Sequence, residues 1–311
     1  MIDIIGKKWF YFLFSGLIII PGLISLCLWG VRPSIDFTGG TLYEFRLPIS
    51  TTDKQNQPLN IQKEDVKKIV ESQKIEVASV QDSGEKTFLL RMKPIDKDQH
   101  EKLQKDLQDK FGMVKELRFE TVGPAVGAET TMNAVKAVIV ASIAIIIYVS
   151  LAFRKIPKPY SSWKFGVCAV VSLVHDVLVV LGLFSILGHF AKVEIDSLFI
   201  TGLLTIMGFT VHDTIVVFDR IRENLNKMPG AGFTRVVNES ILQTLARSLS
   251  TSLTVLLTLL ALLLFGGETI KWFVVALLIG ITSGTYSSIF NAAPLLVIWN
   301  EKTRQKSSQR S

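Results

Sequence analysis

The sequence predicts a polytopic α-helical membrane protein, with six transmembrane helices and one external α+β domain between spans 1 and 2. Three observations carry that prediction. Charge-free apolar runs recur along a chain that is 49% hydrophobic, and runs of about 18 or more apolar residues read as transmembrane helices. A single polar block, residues 32–131, interrupts them. Basic residues gather in alternate connections and in both tails, as the positive-inside rule requires.

Residues 1–31 are expected to be a cytoplasmic N-terminus and span 1. Trp9 to Val31 is 23 residues without a charge, preceded by Lys7-Lys8 and bracketed by Trp9 and Trp29. A secretory signal peptide has a shorter apolar core and a small-residue cleavage site, so the run reads as an uncleaved anchor. Pro21-Gly22 is a candidate kink within it.

The block 32–131 has its own pattern. After Gly39-Gly40, Thr41–Leu47 alternates as a strand does, and Ile61–Lys74 has helical spacing. Glu76–Val80 and Lys86–Met92 flank Asp82-Ser83-Gly84-Glu85, a hairpin signal. Ile95–Phe111 is a second amphipathic helix stopped by Gly112, and Val114–Val122 is a last strand. The order βαββαβ predicts a ferredoxin-like arrangement. The block holds no catalytic constellation, and its one histidine, His100, is expected on the charged, solvated face of the second helix. It reads as a binding or mechanical module, so no enzyme activity and no cofactor or metal is expected.

Residues 132–299 supply spans 2–6, near Asn133–Phe153, Phe165–Ala191, Ser197–Phe218, Thr244–Gly267 and Trp272–Trp299, with TVGPAVGAETT as the linker into them. Residues 300–311 are a basic tail. Lys7, Lys8, Arg154, Lys155, Lys158, Lys164, Arg220, Arg222, Lys227, Arg235, Lys302, Arg304, Lys306 and Arg310 fall on one side, against Lys192 and Lys271 in the other short loops. Both termini are therefore expected in the cytoplasm and the 100-residue domain outside. The net charge of +7 is not a nucleic-acid footprint, because residues 32–131 balance 16 Lys+Arg against 17 Asp+Glu. Cys27 and Cys168 lie inside apolar runs and read as small packing residues, since their spacing suits neither a disulfide framework nor a metal.

The candidate site is the set of charged and polar residues inside those runs. Span 4 carries His212-Asp213 before its apolar run ends at Phe218, and span 3 carries His175-Asp176 in a similar VHD context. A carboxylate within a span costs several kcal/mol and is a functional-site hypothesis by default. Asp213 and Arg247 lie at similar depth if spans 4 and 5 pack antiparallel, so Arg247 is the expected partner, with Arg220 as its rival. A carboxylate whose Arg partner swings away is a minimal device for coupling protonation to movement. Neighbours on a helix point about 100° apart, so His175 and Asp176 are expected to need different partners. The two His-Asp pairs either relay protons or only tie helices together. Span 6 offers Gly280, Thr282, Ser283, Gly284, Ser287 and Asn291, with Asn291 as a candidate for a polar path to Asp213.

Several motifs together carry a resemblance. They are IDFTGG (Ile35–Gly40), VGPAVGAE (Val122–Glu129), HDVLVVLGLF in span 3, HDTIVVFDRIREN in span 4, QTLARSLSTS (Gln243–Ser252), and LIGITSGTYSSIF in span 6. With them, the chain resembles the smaller, SecF-type members of the SecD/SecF family, in the resistance-nodulation-division superfamily. The resemblance implies an inner-membrane subunit that pairs with SecD, meets the SecYEG channel (with YajC in the same assembly), and draws unfolded preproteins across the membrane on the proton gradient. It implies that Asp213 and Arg247 are the residues linked to proton movement. His212 stands where many relatives carry Asn. Two alternatives remain beside this reading: a scaffold subunit without ion coupling of its own, and half of a small-molecule exporter of the same superfamily.

Overall fold

The computed structural model describes residues 3–47, 62–84, 86–154, 156–157 and 160–308. Ile61, Glu85, Lys155, Lys158 and Arg310, used in the sequence reading, lie outside the described residues. The described chain divides into two compact units, Met1–Arg32 with Val135–Ser311, and Pro33–Ala134.

In the unit Pro33–Ala134, α1 (Lys8–Trp29) of the other unit is followed by the short α2 (Ile35–Thr38), then β1 (Gly40–Arg46), α3 (Lys63–Ser72), β2 (Val77–Gly84), β3 (Thr87–Met92), α4 (Lys97–Phe111) and β4 (Lys115–Val122). The four strands form one antiparallel sheet in the order β2-β3-β1-β4. Alternation along β1 sends Tyr43, Phe45 and Leu47 into a core with Val66, Ile69 and Val70 of α3 and Leu103, Leu107 and Phe111 of α4. Asp96 and Gln99 cap α4 reciprocally, at 2.8 and 3.1 Å.

His100 is not on a solvated face. Its ring stacks on Phe119 with centroids 3.8 Å apart, and its Nε2 lies 2.9 Å from the Glu116 carboxylate. The cause is β4, whose core-facing Phe119 gives the imidazole an apolar plane to cover. Gly39 and Gly127 explain two of the sequence motifs. Gly39 has φ +71°, and a Cβ there would lie 2.9 Å from the Pro124 Cα, while one on Gly127 would lie 2.7 Å from the Gly39 nitrogen. The opening and closing motifs of the block therefore pack backbone against backbone, which only glycine permits.

The linker is helical. α5 (Pro124–Ala152) begins at its proline, which is tolerated at a first helical turn. It is followed by α6 (Ser162–Phe190), α7 (Ser197–Lys227), α8 (Phe233–Phe265), α9 (Glu268–Ser287), a π-helical turn (Ser288–Ala292) and α10 (Ala293–Ser308). Among the described residues, six helical segments are long and apolar enough to cross a membrane, the last running through α9, the π turn and α10. α8 starts at Phe233, well before the expected Thr244, so α7 and α8 form a tight antiparallel hairpin. α1 crosses α6 where a Cβ on Gly182 would sit 2.7 Å from the Gly22 Cα, and Ser25 and Ser185 bond across the crossing at 2.7 Å. α6, α7 and α9 pack into the centre of the bundle, while α5 and the outer face of α8 leave rows of Ile, Val and Leu exposed. Cys168 is buried as expected, but Cys27 is exposed on α1.

Candidate functional site

The centre of the bundle is a seam of hydroxyls around two buried carboxylates. The seam follows from the spacing of small polar residues. On α9, Ser283 and Ser287 are one turn apart and face α6. Thr285 and Ser288 lie round the helix and face α8 and α7. Glycines let the backbones come close enough, since a Cβ on Gly284 would stand 2.2 Å from Thr210 Oγ1 and one on Gly280 would overlap Ile206.

Asp176 on α6 is 0% exposed. Ser283 Oγ donates to its Oδ1 and Ser287 Oγ to its Oδ2, both at 2.7 Å. Ser172 in turn donates to Ser287 at 3.0 Å. His175 Nδ1 lies 3.0 Å from Asp176 Oδ1. That corrects the expectation that adjacent His and Asp need different partners: their Cα–Cβ bonds diverge, but the two side chains are long enough to fold back toward each other.

Asp213 on α7 is 3% exposed, and its surroundings are poorer. Ser252 of α8 approaches Asp213 Oδ2 at 3.5 Å, the outer limit of a hydrogen bond. The Thr285 hydroxyl of α9 faces the same carboxylate and lies 2.6 Å from Ser252 Oγ. The hydroxyls of Thr210 on α7 and Ser248 on α8 are buried and without a hydrogen-bond partner among the described residues. Just beyond Asp213, Thr214 bonds Ser288 of the π turn at 2.9 Å. Single-turn π-helices inside α-helices often mark functional positions.

Arg247 is not beside Asp213. It is exposed, and among the described residues the two form no ion pair. The inward face of α8 is Thr244, Ser248 and Ser252, and Arg247 stands one residue round from it. Arg220 pairs with Glu223 at 2.7 Å, so the rival partner is also engaged elsewhere. His212 is exposed on the outer side of α7. Asn291 is buried in the π turn, and its amide exchanges hydrogen bonds with Ser15 of α1 at 2.8 and 3.1 Å, so α1 and not Asp213 holds it. Ser252, Thr285 and Ser288 are members of the seam that the sequence reading missed. Their signal was present as small hydroxyl residues one turn apart inside apolar runs.

Six apolar membrane-length segments around two buried carboxylates, with a separate α+β unit, define a multi-pass membrane protein built to hold charge inside its bundle. The description "Protein export membrane protein SecD/SecF, C-terminal" matches residues 102–302. The chain is 48% identical to "Protein translocase subunit SecF" of Thermobaculum terrenum over 97% of this chain and 95% of that one. It is 42% identical to the SecF of Anaerolinea thermophila over 96% and 94%. The "Protein translocase subunit SecDF" of Bacillus subtilis is 34% identical over 98% of this chain but 39% of its own length. The crystal structure of SecDF from Thermus thermophilus, a translocon-associated membrane protein, aligns at a TM-score of 0.80 and 34% identity, covering 96% of this chain and 39% of that one. The chain belongs to the SecD/SecF family of protein export membrane proteins.

Proposed function

We propose that the chain is an accessory subunit of the Sec translocase that works with SecD and couples the proton gradient to preprotein export through SecYEG. Asp213 is the group whose protonation changes, and Arg247 is the cation that joins it in the other half of the cycle. The observation that carries this reading is the poverty of the Asp213 site. It is a carboxylate buried among apolar helices, faced by the Ser252 hydroxyl at the limit of hydrogen bonding and by the Thr285 hydroxyl, with no ion pair to Lys or Arg among the described residues. A carboxylate so placed inside a span is a functional-site candidate by default. Arg247 stands exposed on the hairpin partner helix, five residues before Ser252, and would reach Asp213 by a rotation and shift of α8.

A SecD partner is supported by the SecDF relatives, whose extra length lies outside the part that matches this chain. The inner membrane is the expected location, with both termini cytoplasmic and the 32–131 block outside. The strand order β2-β3-β1-β4 with both long helices feeding one core supports reading that block as a ferredoxin-like module that meets the exported chain. A scaffold role is favoured at Asp176, whose donors already satisfy it.

The test is proton entry into proteoliposomes that contain the chain with its SecD partner and a pH-sensitive dye inside. Asp213→Asn is expected to lower the entry rate at least several-fold. Entry equal to the native protein overturns the proposal.

A further inference from the structure

His175 has one ring nitrogen against a carboxylate and the other buried without a partner among the described residues. Its Nδ1 faces Asp176 Oδ1 at 3.0 Å, and Asp176 already accepts from Ser283 and Ser287 on its two oxygens. A carboxylate in that role is an acceptor, so Nδ1 carries the hydrogen of the contact. In the neutral ring Nε2 is then a bare acceptor. That atom is buried and has no partner among the described residues. A buried acceptor without a donor calls for an explanation, and a ring nitrogen left bare by the bond its twin makes is how proteins ready an imidazole for a proton.

We infer that His175 Nε2 is a second proton-binding site of the bundle, with Asp176 as the positioning residue that fixes the tautomer. This rests on the reading of the chain as proton-coupled. A proton arriving at Nε2 turns the neutral ring into imidazolium beside the buried carboxylate. The pair changes from one net negative charge to none, which lowers the charge held among apolar helices. Asp176 is kept in place by α9, through Ser283 and through Ser287, which Ser172 of α6 also contacts. The titratable groups against the pair are few. The Tyr286 ring of α9 lies 6.5 Å from the imidazole, and its hydroxyl donates to the Tyr11 carbonyl of α1. Among the described residues no Lys or Arg pairs with Asp176. The same stretch of α9 leads into the π turn, where Ser288 bonds Thr214, the residue after Asp213. A charge change at His175 is thus one turn of α9 from the Asp213 site.

The test is ¹⁵N NMR of histidine side chains in the full-length chain, reconstituted in liposomes without a gradient. The chain has four histidines, and the His175 signals are those lost in His175→Asn, which keeps a side-chain N–H toward Asp176. Should that variant fail to fold, a chain with His100, His189 and His212 each replaced by Asn leaves His175 as the sole imidazole. The expected result is an Nδ1–H ring with bare Nε2 at high pH, becoming doubly protonated as the pH is lowered. In Asp176→Asn the Nδ1–H tautomer should no longer dominate. A ring protonated on Nε2 at high pH, or one that stays singly protonated at every pH at which the chain remains folded, overturns the inference. The readout needs no export and no Asp213, so its failure leaves the Asp213 reading standing, and the reverse holds for proton entry in Asp213→Asn.

Discussion

The Ser252 hydroxyl lies 3.5 Å from the Asp213 carboxylate, while Ser283 and Ser287 approach Asp176 at 2.7 Å each. Two aspartates in one bundle therefore have opposite situations. One is tied down by its neighbours, and the other is held more loosely.

The first consequence concerns stability. Asp213→Asn removes a buried charge that little compensates, and the amide still reaches Ser252. Its thermal midpoint in detergent should match or exceed the native value, with a change within about 1 kcal/mol. A clear loss of stability would make Asp213 a structural tie.

Asp176→Ala should behave differently. It strands the Ser283 hydroxyl and the His175 N–H inside the bundle and leaves Ser287 its contact with the Gly284 carbonyl at 3.2 Å, a loss of about 1–3 kcal/mol for each group left unsatisfied. Ser287→Ala should lose only about 1 kcal/mol. Unfolding in mixed micelles ranks the two, and equal effects would contradict the bond pattern.

Arg247→Met separates the resting contact from the cycle. Arg247 is exposed and off the packed face of α8, so its loss should change stability by no more than about 0.5 kcal/mol. Gradient-driven export should fall nonetheless. A variant that exports normally would remove Arg247 from the mechanism.

Tyr43 makes a pH prediction outside the bundle. Burial, with help from the Glu116 charge, pushes its phenol above the ordinary tyrosine range. A raised folded value means its contribution is fully present below the unfolded value of about 10 and is lost as pH rises beyond it. The Pro33–Ala134 unit should therefore weaken above about pH 10, and Tyr43→Phe should remove part of that loss. The hydroxyl has no hydrogen-bond partner among the described residues, so the variant should be no less stable at neutral pH. Tyrosinate absorbance of the full chain, native against Tyr43→Phe, reads both.

The antiparallel pairing of α7 and α8 was legible in the sequence, and its register and facing were not. Asp213 lies opposite Ser252 and Asn224 opposite Ser240, so Arg247 falls five residues short of the level of Asp213. Each residue turns the helix by about 100°, and that single step puts Ser248 inside and Arg247 outside. The six spans could be read because length and lack of charge suffice, and the strand order because alternation and turn glycines are local signals. His100 escaped because its place is set by Phe119, which is distant in the chain and brought near by the sheet. The π turn escaped because an extra residue in a helical turn depends on packing against Ser15 and Thr214.

The most direct test of the account is completion of an arrested export intermediate in membrane vesicles, native against Asp213→Asn, with the proton gradient present and collapsed. The variant should lose the gradient-dependent part and keep the rest. Equal completion by both proteins in both conditions would contradict it and leave Asp213 as one more polar tie between helices.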